Sequence, residues 1–211
     1  MRIPVIASAV SFVLMIGSLA LAGKYNPVLK IGDPAPEWSE LEGTDGKQHA
    51  LKDLADKDVV VICFTCNTCE YAVDIEERLV ALAKKFADDG GQAALVAINP
   101  NQIEADSLEA MQERAKEQGF NFLYVHDGPQ QAVTKAYGAT YTPEFVVLDK
   151  NRKVVYLGAL DDSPEGKKVT KTYVEDAVAA ALAGKTPTIA ETPAIGCAVR
   201  KVRQRRKSDE D

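Results

Sequence analysis

Three cysteines recur at one spacing in Val59-Val-Val-Ile-Cys63-Phe-Thr-Cys66-Asn-Thr-Cys69. A Cys-x-x-Cys pair can close into a small-ring disulfide and reopen, so Cys66 and Cys69 suit thiol–disulfide exchange. In that chemistry a thiolate attacks a disulfide sulfur through a mixed disulfide. The run places the pair where an apolar strand gives way to a helix. Beyond it Ala72, Ile75, Leu79, Leu82, Ala83 and Phe86 fall on one helical face, with Asp74, Glu76, Glu77, Lys84 and Lys85 mostly opposite. Cys66 is expected at or just before the first turn, where free backbone N–H groups and the helix dipole favour a thiolate. Cys69 is expected one turn further in. The first cysteine attacks and the second resolves.

The elements that must hold this pair can be read from pattern. Val59 to Phe64 is apolar without strict alternation, as in a central strand buried on both faces. The helix after Cys69 is stopped near Gly90-Gly91, and Ala93 to Asn99 makes the next buried strand; strand, helix, strand in that order predicts a right-handed parallel crossover. Before this unit, Pro27, Pro34 and Pro36 mark an extended stretch, and Ser39 to Glu42 with Lys47 to Leu51 predicts a hairpin around Asp45-Gly46. After it come a helix from about Asp106 to Gln118, with Asp106 and Glu109 in capping positions, and a strand over Phe120 to Val125. A short helix follows Pro129. The connection Asp149-Lys-Asn-Arg152 is too short for anything but an antiparallel hairpin between Glu144–Leu148 and Lys153–Leu157. A closing helix carries Val174, Ala177, Val178, Ala181 and Leu182 to Gly184.

Composition bounds the function classes. The chain has 211 residues, 46% of them hydrophobic and 27% charged, which fits one globular domain with extensions. Residues 3–21 lack any charge, follow Arg2 and end at Ala20-Leu21-Ala22, a small-x-small signature of an export signal cut after Ala22. An uncleaved anchor is the rival reading, and both place the folded part outside the cytoplasm. Loss of Arg2 with the signal takes the net charge from −6 to −7, which argues against nucleic acid as a partner of the domain. The expected organisation is residues 1–22 as signal, 23–185 as the domain and 186–211 as a tail with Cys197. That tail is basic from Arg200 to Lys207 and acidic at Asp209 to Asp211. Such a run is usually solvated; contact with an anionic membrane surface is the functional alternative. Four cysteines are too few to staple an exported chain of this size, so their clustering argues for chemistry.

Thr142-Pro143, at the start of a predicted strand, completes the constellation if the proline is cis, because that turn exposes backbone groups able to pair with an extended substrate. An ordinary trans proline is as good a reading of the residues alone. Together, the element order, Cys66-Asn-Thr-Cys69 and Thr142-Pro143 resemble the thioredoxin-like superfamily. More narrowly they resemble exported redoxins related to peroxiredoxins, which open Gly-x-x-Ala-Pro, here Gly32-Asp33-Pro34-Ala35-Pro36. The resemblance spans Lys30 to about Gly184. It implies an α/β fold with a central mixed β-sheet flanked by α-helices, Cys66 as nucleophile, Cys69 as resolving thiol and Pro143 as a cis proline facing them. Gly196-Cys197 before a basic segment is similar to the tail of a redoxin subgroup. Two departures stand out. Thr65 replaces the tryptophan that thioredoxins place before the first cysteine, and Asn-Thr replaces their Gly-Pro. The peroxiredoxin threonine three residues before the reactive cysteine is also missing, since Cys63 and Cys66 hold that position relative to Cys66 and Cys69, which counts against thiol peroxidase activity, the alternative that the resemblance to peroxiredoxins implies.

Rival chemistries use the same residues. Cys63, Cys66, Cys69 and Cys197 match the spacing of some iron–sulfur sites, although Cys63 lies inside the apolar strand. Copper binding by Cys66, Cys69 and one of His49 and His126 is a third reading, with neither histidine in a ligand motif. Cys63 itself reads as a buried hydrophobe, and Cys197 as a free tail thiol, a second resolving cysteine or an interchain link. Asp127, Asp161, Asp162 and Glu144 read as solvated carboxylates, one of which could assist proton transfer from Cys69. The expectation is an extracytoplasmic thiol–disulfide oxidoreductase that needs neither metal nor cofactor. It would act on disulfide-containing proteins, with a separate thiol electron donor.

Overall fold

A computed structural model describes residues 23–200; the expected signal and the charged tip of the tail lie outside the described residues. The central strand β3 (Val59–Phe64) is buried along its whole length. Its side chains divide between two cores with the strand period. Val60, Ile62 and Phe64 join Trp38, Leu51, Val96, Ile98, Val146 and Tyr137 on one face of the sheet. On the other face Val59, Val61 and Cys63 meet Leu79, Leu82, Phe86, Phe145, Val147 and Val174. Two faces covered by apolar layers explain why the run is apolar without alternation.

The remaining strands are β1 (Leu41–Gly43), β2 (Gln48–His49), β4 (Ala93–Asn99), β5 (Leu123–His126), β6 (Tyr141–Thr142), β7 (Glu144–Leu148), β8 (Val154–Gly158) and β9 (Cys197–Ala198). Seven form one mixed sheet in the order β2-β1-β5-β4-β3-β7-β8, and β6 pairs with β9 in a second, two-stranded sheet. β3, β4 and β5 run parallel, while β7 returns antiparallel to β3. The hairpins around Asp45-Gly46 and Asp149–Arg152 form as expected, the first shorter than its apolar pattern because Leu51 opens a 3₁₀ turn over Leu51–Leu54.

Among the described residues five helices flank the sheet: α1 (Glu70–Val73), α2 (Glu76–Asp88), α3 (Leu108–Glu117), α4 (Ala132–Ala136) and α5 (Tyr173–Leu182). The single helix expected after Cys69 is thus split between α1 and α2. Asp74 and Ile75 keep near-helical dihedrals across the break, so the apolar phase from Ala72 through Ile75 to Leu79 survives it. α3 begins later than expected. Ser107, not Asp106 or Glu109, is its cap, accepting from the Ala110 N–H at 3.3 Å, and residues Glu104–Asp106 form a separate 3₁₀ turn.

Candidate active site

β3 ends at Phe64, and the Thr65 N–H still donates to the Ile98 carbonyl of β4 at 2.9 Å, so the chain leaves the sheet only at Cys66. Residues 66–68 make a loop, and Cys69 stands at the start of α1, its carbonyl accepting from the Ala72 and Val73 N–H groups. Both cysteines therefore sit earlier relative to the helix than the spacing suggested. Cys66 precedes it by a loop, and Cys69 is the residue before its first turn.

Buried side chains beneath it hold that loop, Asp106 foremost. Asp106, fully buried, accepts from the Asn67 N–H at 2.7 Å and from the Thr68 hydroxyl at 2.7 Å. It also accepts from Asn99 Nδ2 at 3.3 Å and Asn101 Nδ2 at 3.0 Å. The Tyr124 hydroxyl, in β5, donates to Asn67 Oδ1 at 2.9 Å and accepts from Asn99 Nδ2 at 3.0 Å. The loop between the cysteines is thus tied to the carboxyl ends of β4 and β5. Sequence reasoning missed this network. The one signal available was three amide side chains, Asn67, Asn99 and Asn101, beside apolar runs that end abruptly.

Thr142 brings the two cysteines together. The peptide bond from Thr142 to Pro143 is cis, and Thr142 is fully buried. Its hydroxyl lies 3.3 Å from Cys66 Sγ, and its carbonyl accepts from Cys69 Sγ at 3.0 Å. All four cysteines are free thiols. Cys66 and Cys69 are 3% and 2% exposed, which makes this a covered site. Burial pushes the Cys66 thiol up from its ordinary range; the hydrogen bond with Thr142 opposes that shift, and the Asp106 charge adds to it. The expected thiolate at a helix start does not hold in this arrangement, because Cys66 lies outside the helix and out of water.

The cover is the C-terminal tail. It first runs along β8, where Leu157 N–H donates to the Ala190 carbonyl and Thr192 N–H to the Leu157 carbonyl, both at 3.0 Å. It then crosses to β6, where Cys197 pairs with Thr142 and Ala198 with Tyr141 in antiparallel register. The Cys197 N–H donates to Cys69 Sγ at 3.3 Å. Val199 N–H reaches the Thr140 carbonyl at 2.9 Å, and Arg200 N–H reaches Asn101 Oδ1 at 2.9 Å. Gly196 makes the crossing possible: a Cβ there would stand 2.2 Å from the Thr142 carbonyl oxygen and 2.9 Å from the Pro143 nitrogen.

The other candidates lie elsewhere. Cys63 is fully buried in the core behind the sheet, among Ile75, Leu79 and Phe145. The carboxylates read as solvated are mostly not. Asp127 is buried and accepts from the Val133 and Thr134 N–H groups at the start of α4. Asp161 is buried against Arg78. Glu144 is buried and accepts from the Thr140 and Tyr141 N–H groups at 2.9 and 3.1 Å, which orders the turn before the cis proline. Asp127, Asp161 and Asp162 all lie in loops, and of these Asp162 is the one not buried, accepting from the Thr170 and Lys171 N–H groups. His49 pairs with Asp45 and His126 with the Asn101 carbonyl. Among the described residues no group of three or more His, Cys, Asp or Glu side chains is arranged to hold a metal.

Residues 30–177 match the sequence model of the redoxin family. The chain belongs to the redoxin family. Two solved structures are similar to this redoxin over most of its length. A hypothetical protein of Sinorhizobium meliloti 1021 is 33% identical, with a TM-score of 0.78 over 85% of this chain and 98% of that one. An uncharacterized conserved protein of Geobacillus kaustophilus is 34% identical, with a TM-score of 0.77 over 85% and 96%. A putative protein disulfide isomerase of Bacteroides thetaiotaomicron is similar at 25% identity, with a TM-score of 0.52 over 63% of this redoxin and 80% of that chain. No curated protein matches it. The fold is thioredoxin-like.

Proposed function

We propose that this redoxin is an extracytoplasmic thiol–disulfide oxidoreductase that reduces or exchanges disulfides of other proteins through Cys66 and Cys69. The observation that carries the reading is that Thr142, the residue before the cis proline, touches both sulfurs while its strand β6 lies beside them with an edge that accepts an antiparallel strand, here the tail's β9. A substrate segment that displaces β9 from that edge would gain main-chain hydrogen bonds and present its disulfide to Cys66.

In the cycle Cys66 loses its proton and attacks one substrate sulfur, forming a Cys66–substrate disulfide and releasing the other as a thiolate. Cys69 then attacks Cys66 Sγ and expels the second substrate thiolate. The substrate gains two electrons and two protons, and Cys66 and Cys69 close as a disulfide. A thiol donor outside this chain reopens it. Thr142 acts on both steps, since its hydroxyl supports negative charge on Cys66 and its carbonyl orients the Cys69 thiol. The pair is its own redox group, and no cofactor enters.

Export rests on the uncharged run of residues 3–21 with its Ala-x-Ala ending, and surface contact with an anionic membrane on the basic residues from Arg200 to Lys207. The missing peroxiredoxin threonine favours disulfides over peroxide as substrate.

A glutathione redox titration of the mature chain, with thiols mapped by alkylation and mass spectrometry, tests the reading. A reversible Cys66–Cys69 disulfide is expected, with a potential between about −270 and −120 mV, the span from thioredoxin to strongly oxidising relatives. Cys66→Ser should abolish reduction of a protein disulfide. An unchanged rate in that variant, or rapid consumption of hydrogen peroxide by the reduced protein, overturns it.

A further inference from the structure

The tail raises a chemical question that the two-cysteine cycle leaves open. β9 occupies the edge on which a substrate segment would pair, antiparallel and in hydrogen-bonded register with the residue before the cis proline. The residue it sets opposite Thr142 is a cysteine. Cys197 packs, partly buried, against Cys66, Cys69 and Ala72, and its own N–H points at Cys69 Sγ. The placement is held at several points along the tail, by Ala190 and Thr192 on β8, by Val199 on Thr140, and by Arg200 on Asn101. Gly196 is the one residue type that can pass so close to the Thr142 carbonyl.

We infer that Cys197 is a third redox-active thiol: seated on the substrate edge, it takes over the Cys66–Cys69 disulfide by attack at Cys69. This rests on the oxidoreductase reading, because that cycle supplies the disulfide. In the exchange Cys197 gives up its proton, its sulfur bonds to Cys69 Sγ, the Cys66–Cys69 bond breaks, and Cys66 leaves as a thiolate that takes a proton. No electrons enter or leave. The product is an isomer of the oxidised protein in which the tail is bonded across the site and Cys66 is free.

Two features favour Cys69 over Cys66 as the point of attack. The Cys197 backbone donates to Cys69 and to no other sulfur in the site, so the thiols of 69 and 197 are neighbours. In the reverse step Cys66 attacks the same Cys69 sulfur and Cys197 leaves as the thiolate, so the exchange is reversible. In the reduced protein the Cys197 thiol is pushed up to about 11, first by burial and then by the adjacent Cys69 thiol. Once Cys69 is in a disulfide the second cause is gone, so Cys197 becomes a better nucleophile when the bond it attacks exists. The exchange should quicken with rising pH.

The test uses the mature chain with its tail, as Cys66→Ser and Cys197→Ser variants beside the parent. Each is oxidised with excess oxidised glutathione, quenched in acid, alkylated and mapped by mass spectrometry. The parent should yield a Cys69–Cys197 peptide pair with alkylated Cys66, in addition to Cys66–Cys69. In Cys66→Ser, oxidation should remove the alkyl label from Cys69 and Cys197 together, within one molecule. If both stay labelled, or Cys197 links only to a second chain, the inference is overturned. Closure of Cys66–Cys69 in Cys197→Ser reports separately on the oxidoreductase reading. Its failure there, with Cys69–Cys197 still closing in Cys66→Ser, would sink that reading and leave the third thiol standing.

Discussion

Gly196→Ala should unseat the tail without touching any cysteine. The added methyl would meet the Thr142 carbonyl oxygen at 2.2 Å and the Pro143 nitrogen at 2.9 Å, both backbone atoms that cannot swing aside. Ordinary contact between non-bonded heavy atoms lies near 3.5–4.0 Å. The tail must therefore retreat by more than an ångström, which breaks the Val199 to Thr140 hydrogen bond and the Cys197 to Cys69 contact. At about 0.5–1.5 kcal/mol for each bond lost, closure weakens by roughly 1–3 kcal/mol. A tenfold change per 1.4 kcal/mol makes that roughly a 5- to 150-fold rise in the open population. The assay is the native-state alkylation rate of Cys66 and Cys69, which are buried when the tail is seated. The global unfolding midpoint should change little, because the two apolar cores lie away from β9. Unchanged alkylation in Gly196→Ala would refute the claim that the tail controls access. A large fall in the global midpoint would refute the claim that its seating is local.

Three further outcomes follow from the site and its supports. Asp106→Asn removes a charge that raises the Cys66 thiol and turns one acceptor toward donors, so the pH midpoint of Cys66 alkylation should fall; Thr142→Val removes a hydrogen bond that lowers it, so the midpoint should rise, and a shift opposite to either expectation would contradict that residue's assignment. The reduced protein should lose stability as pH rises from the ordinary thiol value near 9.0 to about 11, since folding holds Cys197 protonated and the unfolded chain does not; below that window the contribution is fully present. Urea midpoints at pH 8 and 10 should differ less in Cys197→Ser than in the parent, and equal differences would contradict the assignment. Asp127→Ala leaves the Val133 and Thr134 N–H groups unpaired at the start of α4 and should cost about 1–2 kcal/mol in urea unfolding without changing the Cys66–Cys69 potential.

Some of this molecule is written locally and some is not. β3 and β4 are legible because continuous apolar runs bounded by charge or glycine leave no other element of that length, and Ala93–Asn99 takes the bounds its residues suggest. The hairpin of β7 and β8 is forced by the short connection between them. Cys66, Cys69 and the Thr142-Pro143 step are visible as types and spacings. The resemblance, not the spacing, brings them to one place. Asp106 reads as a helix cap because an acidic residue before an amphipathic stretch usually is one. Its actual role depends on the Cys66 loop folding over it, across a gap of 39 residues from Asn67. Cys197 is harder still, since its pairing with Thr142 depends on where a glycine lets two backbones touch. The carboxylates Asp127 and Glu144 look solvated because each lies at an element end. The backbone donors of the next turn are what draw them inside.

The two ends of the described chain also bear on solubility. β8 is the last strand of the seven-stranded sheet, and its outer side would be an unpaired row of backbone groups. Gly32 and Asp33 exchange hydrogen bonds with Val154 at one end of it, and Ala190 and Thr192 do so with Leu157 at the other. The opposite border of the sheet is the two-residue strand β2, too short to template a neighbour. Cutting the chain after Gly184 would bare half of the β8 border, whose residues are almost all apolar, and invite edge-to-edge self-association of the truncated protein. Aggregation of such a truncation would then report on an uncapped sheet, and a single substitution at Gly196 is the cleaner way to free the thiols.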